Sequence, residues 1–346
     1  MPKSPLQDRT VLLVVAAAMV ALILVAGGVR LFEGEPAVVA ADQPPRVAME
    51  PSDAAPAEPP QPAEPTEPTG PPSTPDVTLP PAGPGGVLPH GGRRIFDGNR
   101  FLVAYYGTGG TGALGVLGEN RPEVMHQRLL RAAAPFRRPG QPVTPVYELI
   151  VTIADATPGP DGDYNHDIDR ETVERYVRAA HDRGALLLLD IQPGRADFKA
   201  VAKRWAWALR YPNVGLALDP EWRMHRGEVP ARVIGSVTAA EVNRTSAWLS
   251  RLVADQRLPE KLFVLHQFRT DMIEDIALVR RRLGLALVQH VDGFGTPAQK
   301  LATFHTVEHA SKFQMGFKLF YDEDTHRMGP REVHRIRPQV RFVSFQ

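Results

Sequence analysis

From about residue 95 to residue 346 the chain alternates short, nearly continuous apolar runs with longer stretches whose apolar positions recur every three or four residues. Eight of the short runs read as strands: residues 101–106, 146–154, 185–191, 214–219, 261–267, 285–291, 314–321 and 340–345. Their richness in Val, Leu and Ile, without strict alternation, predicts strands buried on both faces, the mark of a parallel sheet. The stretches between them carry helix punctuation. Asp169 is placed to cap a helix with Val173, Tyr176, Val177 and Ala180 on one face, closed by Gly184. Thr238-Ala239-Ala240-Glu241 opens a second helix containing Val242, Trp248, Leu249 and Leu252, and Thr296-Pro297-Ala298-Gln299 opens a third with proline at its first position.

Strands alternating with helices over roughly 250 residues predict an α/β fold, a (β/α)8 TIM-like barrel spanning residues 95–346. A doubly wound open sheet is the alternative. The chain stops at the eighth strand with no closing helix, so residues 95–100 or the segment before them are expected to cover that gap.

Upstream the pattern differs. Residues 1–10 carry Lys3 and Arg9, and residues 11–32 contain an uncharged apolar run from Val11 to about Val29. At about 1.5 Å per residue such a run nearly spans a ~30 Å hydrocarbon core, which predicts a transmembrane signal-anchor behind a cytoplasmic tail. The basic side stays in the cytoplasm, so the remainder is expected outside, on a single-pass cell-membrane protein. Cleavage after Val38-Val39-Ala40, giving a secreted protein, is the alternative. Residues 33–94 are dominated by Pro, Ala, Gly and Glu, with segments such as Pro59-Pro60-Gln61-Pro62, and read as a disordered, extended linker. Its length suits a target in the cell envelope.

Composition narrows the chemistry. The 346 residues include no cysteine, which excludes disulfides, thiolate metal sites and a cysteine nucleophile. A net charge of +1 and the lack of a basic stripe interleaved with aromatics give no argument for nucleic acid.

In a barrel of this kind the chemistry sits at the C-terminal ends of the strands. Read there, the first strand offers Tyr105 and Tyr106, the third Asp190 and Gln192, the fourth Asp219, Glu221 and Trp222. The fifth offers His266 and Gln267, the sixth His290 and Asp292, the seventh Tyr321 and Asp322. Carboxylates, amides and rings around one mouth match the needs of sugar recognition and glycosidic cleavage. Side-chain alternation puts Asp219 and Glu221 on one side of the fourth strand and Trp222 on the other. Glu221 is the expected general acid, its pKa raised by burial and by Asp219, with Asp190 or Asp322 as second carboxylate. Tyr105, Tyr106, Gln192, Trp222, His266, Gln267, His290, Asp292 and Tyr321 are the expected substrate contacts. In the structural alternative, Asp219 caps the next loop and Glu221 pairs with Arg223.

Two further motifs do not redirect this expectation. Gly107-Thr108-Gly109-Gly110-Thr111-Gly112 has dinucleotide-binding spacing, but the next helix starts near Pro122, too late to meet a phosphate. It reads as a flexible loop at the cleft rim. Asp163, Asn165, Asp167, Asp169 and Glu174 mimic a calcium loop, yet Ile168 stands where the turn requires glycine. Neither cofactor nor metal is expected, although a zinc site from His266, His290 and an aspartate stays open.

The triplet Asp219-Pro220-Glu221 resembles barrel glycoside hydrolases. In chitinase-like and some lysozyme-like families the fourth strand ends in Asp-x-Glu, and the resemblance implies that Glu221 is the proton donor. Ala217 and Val214 stand where chitinases carry further aspartates. Tyr105-Tyr106-Gly107, Asp190-Ile191-Gln192-Pro193-Gly194 and Leu265-His266-Gln267-Phe268 are similar to an uncharacterised group of bacterial envelope proteins, a similarity that supplies no activity. The expectation is therefore a membrane-anchored, extracytoplasmic glycosidase. It would act on a polysaccharide or peptidoglycan-type glycan, with the bilayer as its other partner and no nucleic acid. Substrate-assisted hydrolysis would need only Glu221, Asp219 and an N-acetyl sugar, whereas a two-carboxylate mechanism would need a partner across the mouth. The alternative is a non-catalytic glycan-binding or scaffold module on the same barrel.

Overall fold

The computed structural model describes Leu79 and residues 85–346. The anchor predicted at residues 11–32 and most of the linker lie outside the described residues. Among the described residues no helix is long and apolar enough to cross a membrane.

All eight expected strands form: β1 (Phe101–Gly107), β2 (Val143–Ala154), β4 (Leu186–Ile191), β5 (Val214–Leu218), β7 (Lys261–Gln267), β9 (Leu285–Val291), β10 (Gln314–Leu319) and β11 (Val340–Phe345). They join side by side in the order β1-β11-β10-β9-β7-β5-β4-β2, every pair parallel, and the β1–β2 pairing closes them into a barrel. The open-sheet alternative is thereby excluded. The short β3 (Asn165–Asp167) pairs antiparallel with β2, and β6 (Val237–Thr238) with β8 (Ile273–Glu274) makes a separate two-stranded sheet.

The helices begin where the punctuation puts them. Helix α1 (Pro122–Ala133) starts on its proline, and α2 (Arg170–Asp182) is capped by Asp169, whose side chain accepts from the Thr172 amide. After α3 (Phe198–Arg204), α4 (Ala239–Asp255) is capped by Thr238, and α5 (Pro297–Val307) carries a complete capping box between Thr296 and Gln299. With the short α6 (Pro330–Val333) these are six α-helices among the described residues, so the regular eightfold alternation of strand and helix is not kept. The link from β7 to β9 holds only β8 and 3-10 turns, with Asp275 in the left-handed region at φ 53°. Met272, Ile273, Ile276 and Val279 cover the barrel there in place of a helix.

Two cores result. One fills the layer between barrel and helices; the other, including Leu102, Val146, Leu188, Ala217, Leu262, Val288 and Phe342, fills the lower half of the barrel interior. Leu88 and Ile95 belong to the second core and close the barrel at the N-terminal ends of its strands. Residues 85–94, which composition alone assigns to the linker, are thus part of the folded body. The Arg93 guanidinium donates to the carbonyls of Gly86, Arg257 and Leu258 at 2.8–3.0 Å, and Ile95 N donates to Glu260 at 2.7 Å. Leu88→Ala is expected to cost about 2–5 kcal/mol by opening a cavity in this plug. A urea unfolding midpoint equal to that of the parent chain would refute the plug.

Candidate functional site

Above the apolar half, the inward positions turn ionisable. Register places Tyr106 beside Glu148, His266 beside His290, and Lys318 beside Ser344. Gly316 lets the His290 ring pack closely at this level: a Cβ there would stand 3.0 Å from the ring and would require it to yield by a few tenths of an ångström. Glu148, Asp190, His266 and His290 are fully buried, and Asp219, Asp292 and Lys318 are nearly so.

His266 is the hub. Its Nδ1 meets Asp292 Oδ2 at 2.7 Å, and its Nε2 lies 3.2 Å from Glu148 and 3.4 Å from Asp190. Burial opposes a charge on this ring, but Asp292 and Asp190 override it and raise its pKa well above the ordinary imidazole value. His290 stacks on His266 with centroids 5.2 Å apart and bonds Ser344 through Nε2 at 2.8 Å. Burial depresses its pKa to about 3, so it stays neutral. Lys318 reaches Asp292 at 3.1 Å and lies 3.6 Å from the centre of the Tyr106 ring. For Asp292, burial acts upward, yet His266, Lys318 and His290 together hold its carboxyl well below the usual range.

At the strand C-termini a cavity of about 100 Å³ opens over this cluster. Asp219, Glu221, Asp292, Lys318 and Glu323 face it together with Gln192 and the rings of Tyr106, Trp222, Phe268, Phe294 and Phe320. Burial drives the Glu221 pKa to about 7, with Lys318 pulling down and Asp292 pushing up. Asp219 is raised well above its ordinary value by burial and then by Asp190. Arg223 bonds Glu241 at 3.0 Å and not Glu221, and Asp219 makes no capping bond to the turn after it. Neither structural alternative for this pair is therefore what holds it.

The expected site residues divide. Glu221, Asp219, Tyr106, Gln192, Trp222 and Asp292 meet at the cavity. Trp222 joins Glu221 there because the strand ends at Leu218 and Pro220–Trp222 is a 3-10 turn, so simple alternation fails after Leu218. Asp190, His266 and His290 lie beneath the cavity in the barrel interior. Tyr105 faces the outer layer, its hydroxyl 3.2 Å from that of Tyr321. Gln267 is also turned outward, where its amide bonds Gln289 and the Arg269 carbonyl. Both are sent outward by alternation, since Tyr106 and His266 take the inward positions. Asp322 is exposed and shares a separate depression with Tyr321, while its neighbour Glu323 faces the cavity.

Glu148, Lys318 and Glu323 were not expected here. The first two carry a legible signal: each is a lone charge inside an apolar strand run, Tyr147-Glu148-Leu149 and Phe317-Lys318-Leu319. In a strand buried on both faces, such a charge has to meet partners inside the barrel.

The other motifs are occupied structurally. Asp167 pairs with Arg204, Asp169 caps α2 and Glu174 pairs with Arg170. The glycine loop reaches the cavity through Ala113 and Leu114 but is closely packed, since a Cβ on Gly118 would collide with the carbonyl oxygens of Thr108 and Thr111. Neither a protein-family model nor a curated protein matches the chain.

Proposed function

We propose that this chain is a glycoside hydrolase of the TIM-like barrel type, anchored in the membrane and acting outside the cytoplasm on a cell-envelope or extracellular glycan. One observation carries the reading: Glu221, its carboxyl protonated up to about pH 7, shares a ring-walled cavity with the ionised carboxylate of Asp292. Two carboxyl groups driven apart in acidity within one site are the acid and base assignments of glycosidic cleavage. Glu221 donates its proton to the departing glycosidic oxygen. Asp292, held ionised by His266 and Lys318, faces the developing oxocarbenium charge or orients water. The rings of Tyr106 and Trp222 wall the cavity that would take the sugar.

The non-catalytic glycan-binding module is favoured by one specific feature, the engagement of Asp292 Oδ2 by both His266 at 2.7 Å and Lys318 at 3.1 Å, which ties one of the two carboxylate oxygens to the floor of the site and leaves only Oδ1 unpartnered. Product release from a panel of wall and polysaccharide fractions separates the two. For the enzyme, release is expected below about pH 7 and to fall as pH rises through that value, because the acid form of Glu221 is then lost. Binding to a glycan with no release at any pH assigns the cavity to recognition alone.

A further inference from the structure

We infer that the barrel interior beneath the cavity is a binding site for one divalent transition-metal ion, held by Glu148, Asp190 and the Nε2 atom of His266. One ligand atom from each of these residues lies within 4.8 Å of the other two. The three belong to β2, β4 and β7, rigid strands that fix their separations.

The first argument is the state of the carboxylates. Glu148 and Asp190 are fully buried, and no oxygen of either accepts a hydrogen bond. Buried carboxyl oxygens require partners, either donors or a cation. The second argument is the orientation of His266. Asp292 takes the Nδ1 side at 2.7 Å, which leaves Nε2 directed at the two carboxylates. A carboxylate behind a histidine, fixing which nitrogen faces forward, is the supporting arrangement found around metal-bound imidazole. The third is distance. Ligand atoms about 2.0–2.2 Å from a tetrahedral ion lie about 3.3 Å from one another. Nε2 stands 3.2 Å from Glu148 and 3.4 Å from Asp190. A charge-assisted hydrogen bond would be shorter, at about 2.7–2.9 Å.

His266, His290 and Asp292 form a second cluster of ligating atoms. That cluster is already used: Asp292 meets His266 and Lys318, and His290 Nε2 bonds Ser344. It therefore supports the ion from behind. One imidazole and two carboxylates suit zinc among the available divalent ions, with cobalt as its spectroscopic substitute. None of the three ligands faces the cavity, so the site does not depend on the glycosidase reading.

The test uses the chelator-stripped full-length chain titrated with zinc by calorimetry and with cobalt by visible absorption. One equivalent is expected to bind, to raise the melting temperature with the logarithm of the free zinc once the site is filled, and to give the visible bands of low-coordinate cobalt. Glu148→Gln and Asp190→Asn keep the shape, replace a carboxyl ligand by an amide, and are each expected to weaken binding by roughly 10-fold or more. Asp292→Asn, acting through His266, is expected to weaken it roughly 10- to 100-fold. Melting of each metal-free variant verifies its fold. Absence of stoichiometric binding by the parent chain overturns the site and leaves a proton on His266 as the only bridge. So does binding that survives unchanged in both Glu148→Gln and Asp190→Asn.

Discussion

Glu221→Gln is expected to lower turnover by about 10²- to 10⁴-fold, the range supplied by one positioned general acid, while glycan affinity changes little. Glutamine keeps the shape and one hydrogen-bonding pattern of the protonated acid but has no proton to give. The substitution has a second signature. The folded carboxyl titrates at about 7 against an ordinary value of 4.5, so above pH 4.5 its ionisation is resisted by the fold and costs stability as pH rises toward 7. Removing that titration should make the variant more stable than the parent at pH 8, with the difference vanishing near pH 4. Loss of activity joined to a gain in stability is the mark of a residue kept for chemistry. Retention of half the parental rate, measured on the glycan that the parent cleaves, would dismiss Glu221 as the acid.

Lys318→Met should be the most destabilising single change in the barrel interior, at about 3–5 kcal/mol, the usual consequence of breaking a buried ion pair from one side. Lys318 meets Asp292 at 3.1 Å, and its own pKa stays raised against burial because Asp292, Glu148, Asp219 and Asp190 surround it. Without the ammonium these carboxylates face one another. The cost is therefore expected to be greatest at alkaline pH and to shrink as acid protonates Asp219, whose carboxyl burial and Asp190 hold well above its usual range. Urea unfolding at pH 5 and pH 8 reads both the size and the sign. Equal stability of parent and variant at pH 8 would mean that the cluster does not rely on Lys318. The variant should also move the alkaline limb of any activity upward, since Lys318 lowers the Glu221 pKa.

The strands were legible because burial on both faces writes itself as an unbroken apolar run, and the caps because Asp169, Thr238 and Thr296 each offer a side-chain oxygen immediately before a helical apolar pattern. The charged floor was only half legible. His266 and Asp292 stand near strand ends, where a search for chemistry looks, whereas Glu148 and Lys318 are set within runs whose neighbours declare a core. The sequence order also hides the turn at Pro220, which swings Trp222 to the side of Glu221 and defeats a strict two-residue period. Leu88 was concealed differently: it is one leucine in a stretch of glycine and proline, and apart from Ile95 its core partners stand more than a dozen residues away on several strands. Local composition carries no trace of such a contact.

The plug formed by Leu88 and Ile95 also determines how the molecule bears force. It seats at the end of the barrel opposite the cavity, so tension applied from the N-terminal side enters far from Glu221. The Gly85 amide bond to the Gln256 carbonyl would carry that load first, and the Arg93 bonds to the carbonyls of Arg257 and Leu258 behind it act as a clamp, sparing β1 until they part. A domain pulled, dragged or bent about its N-terminal connection can therefore keep the walls of its cavity in register.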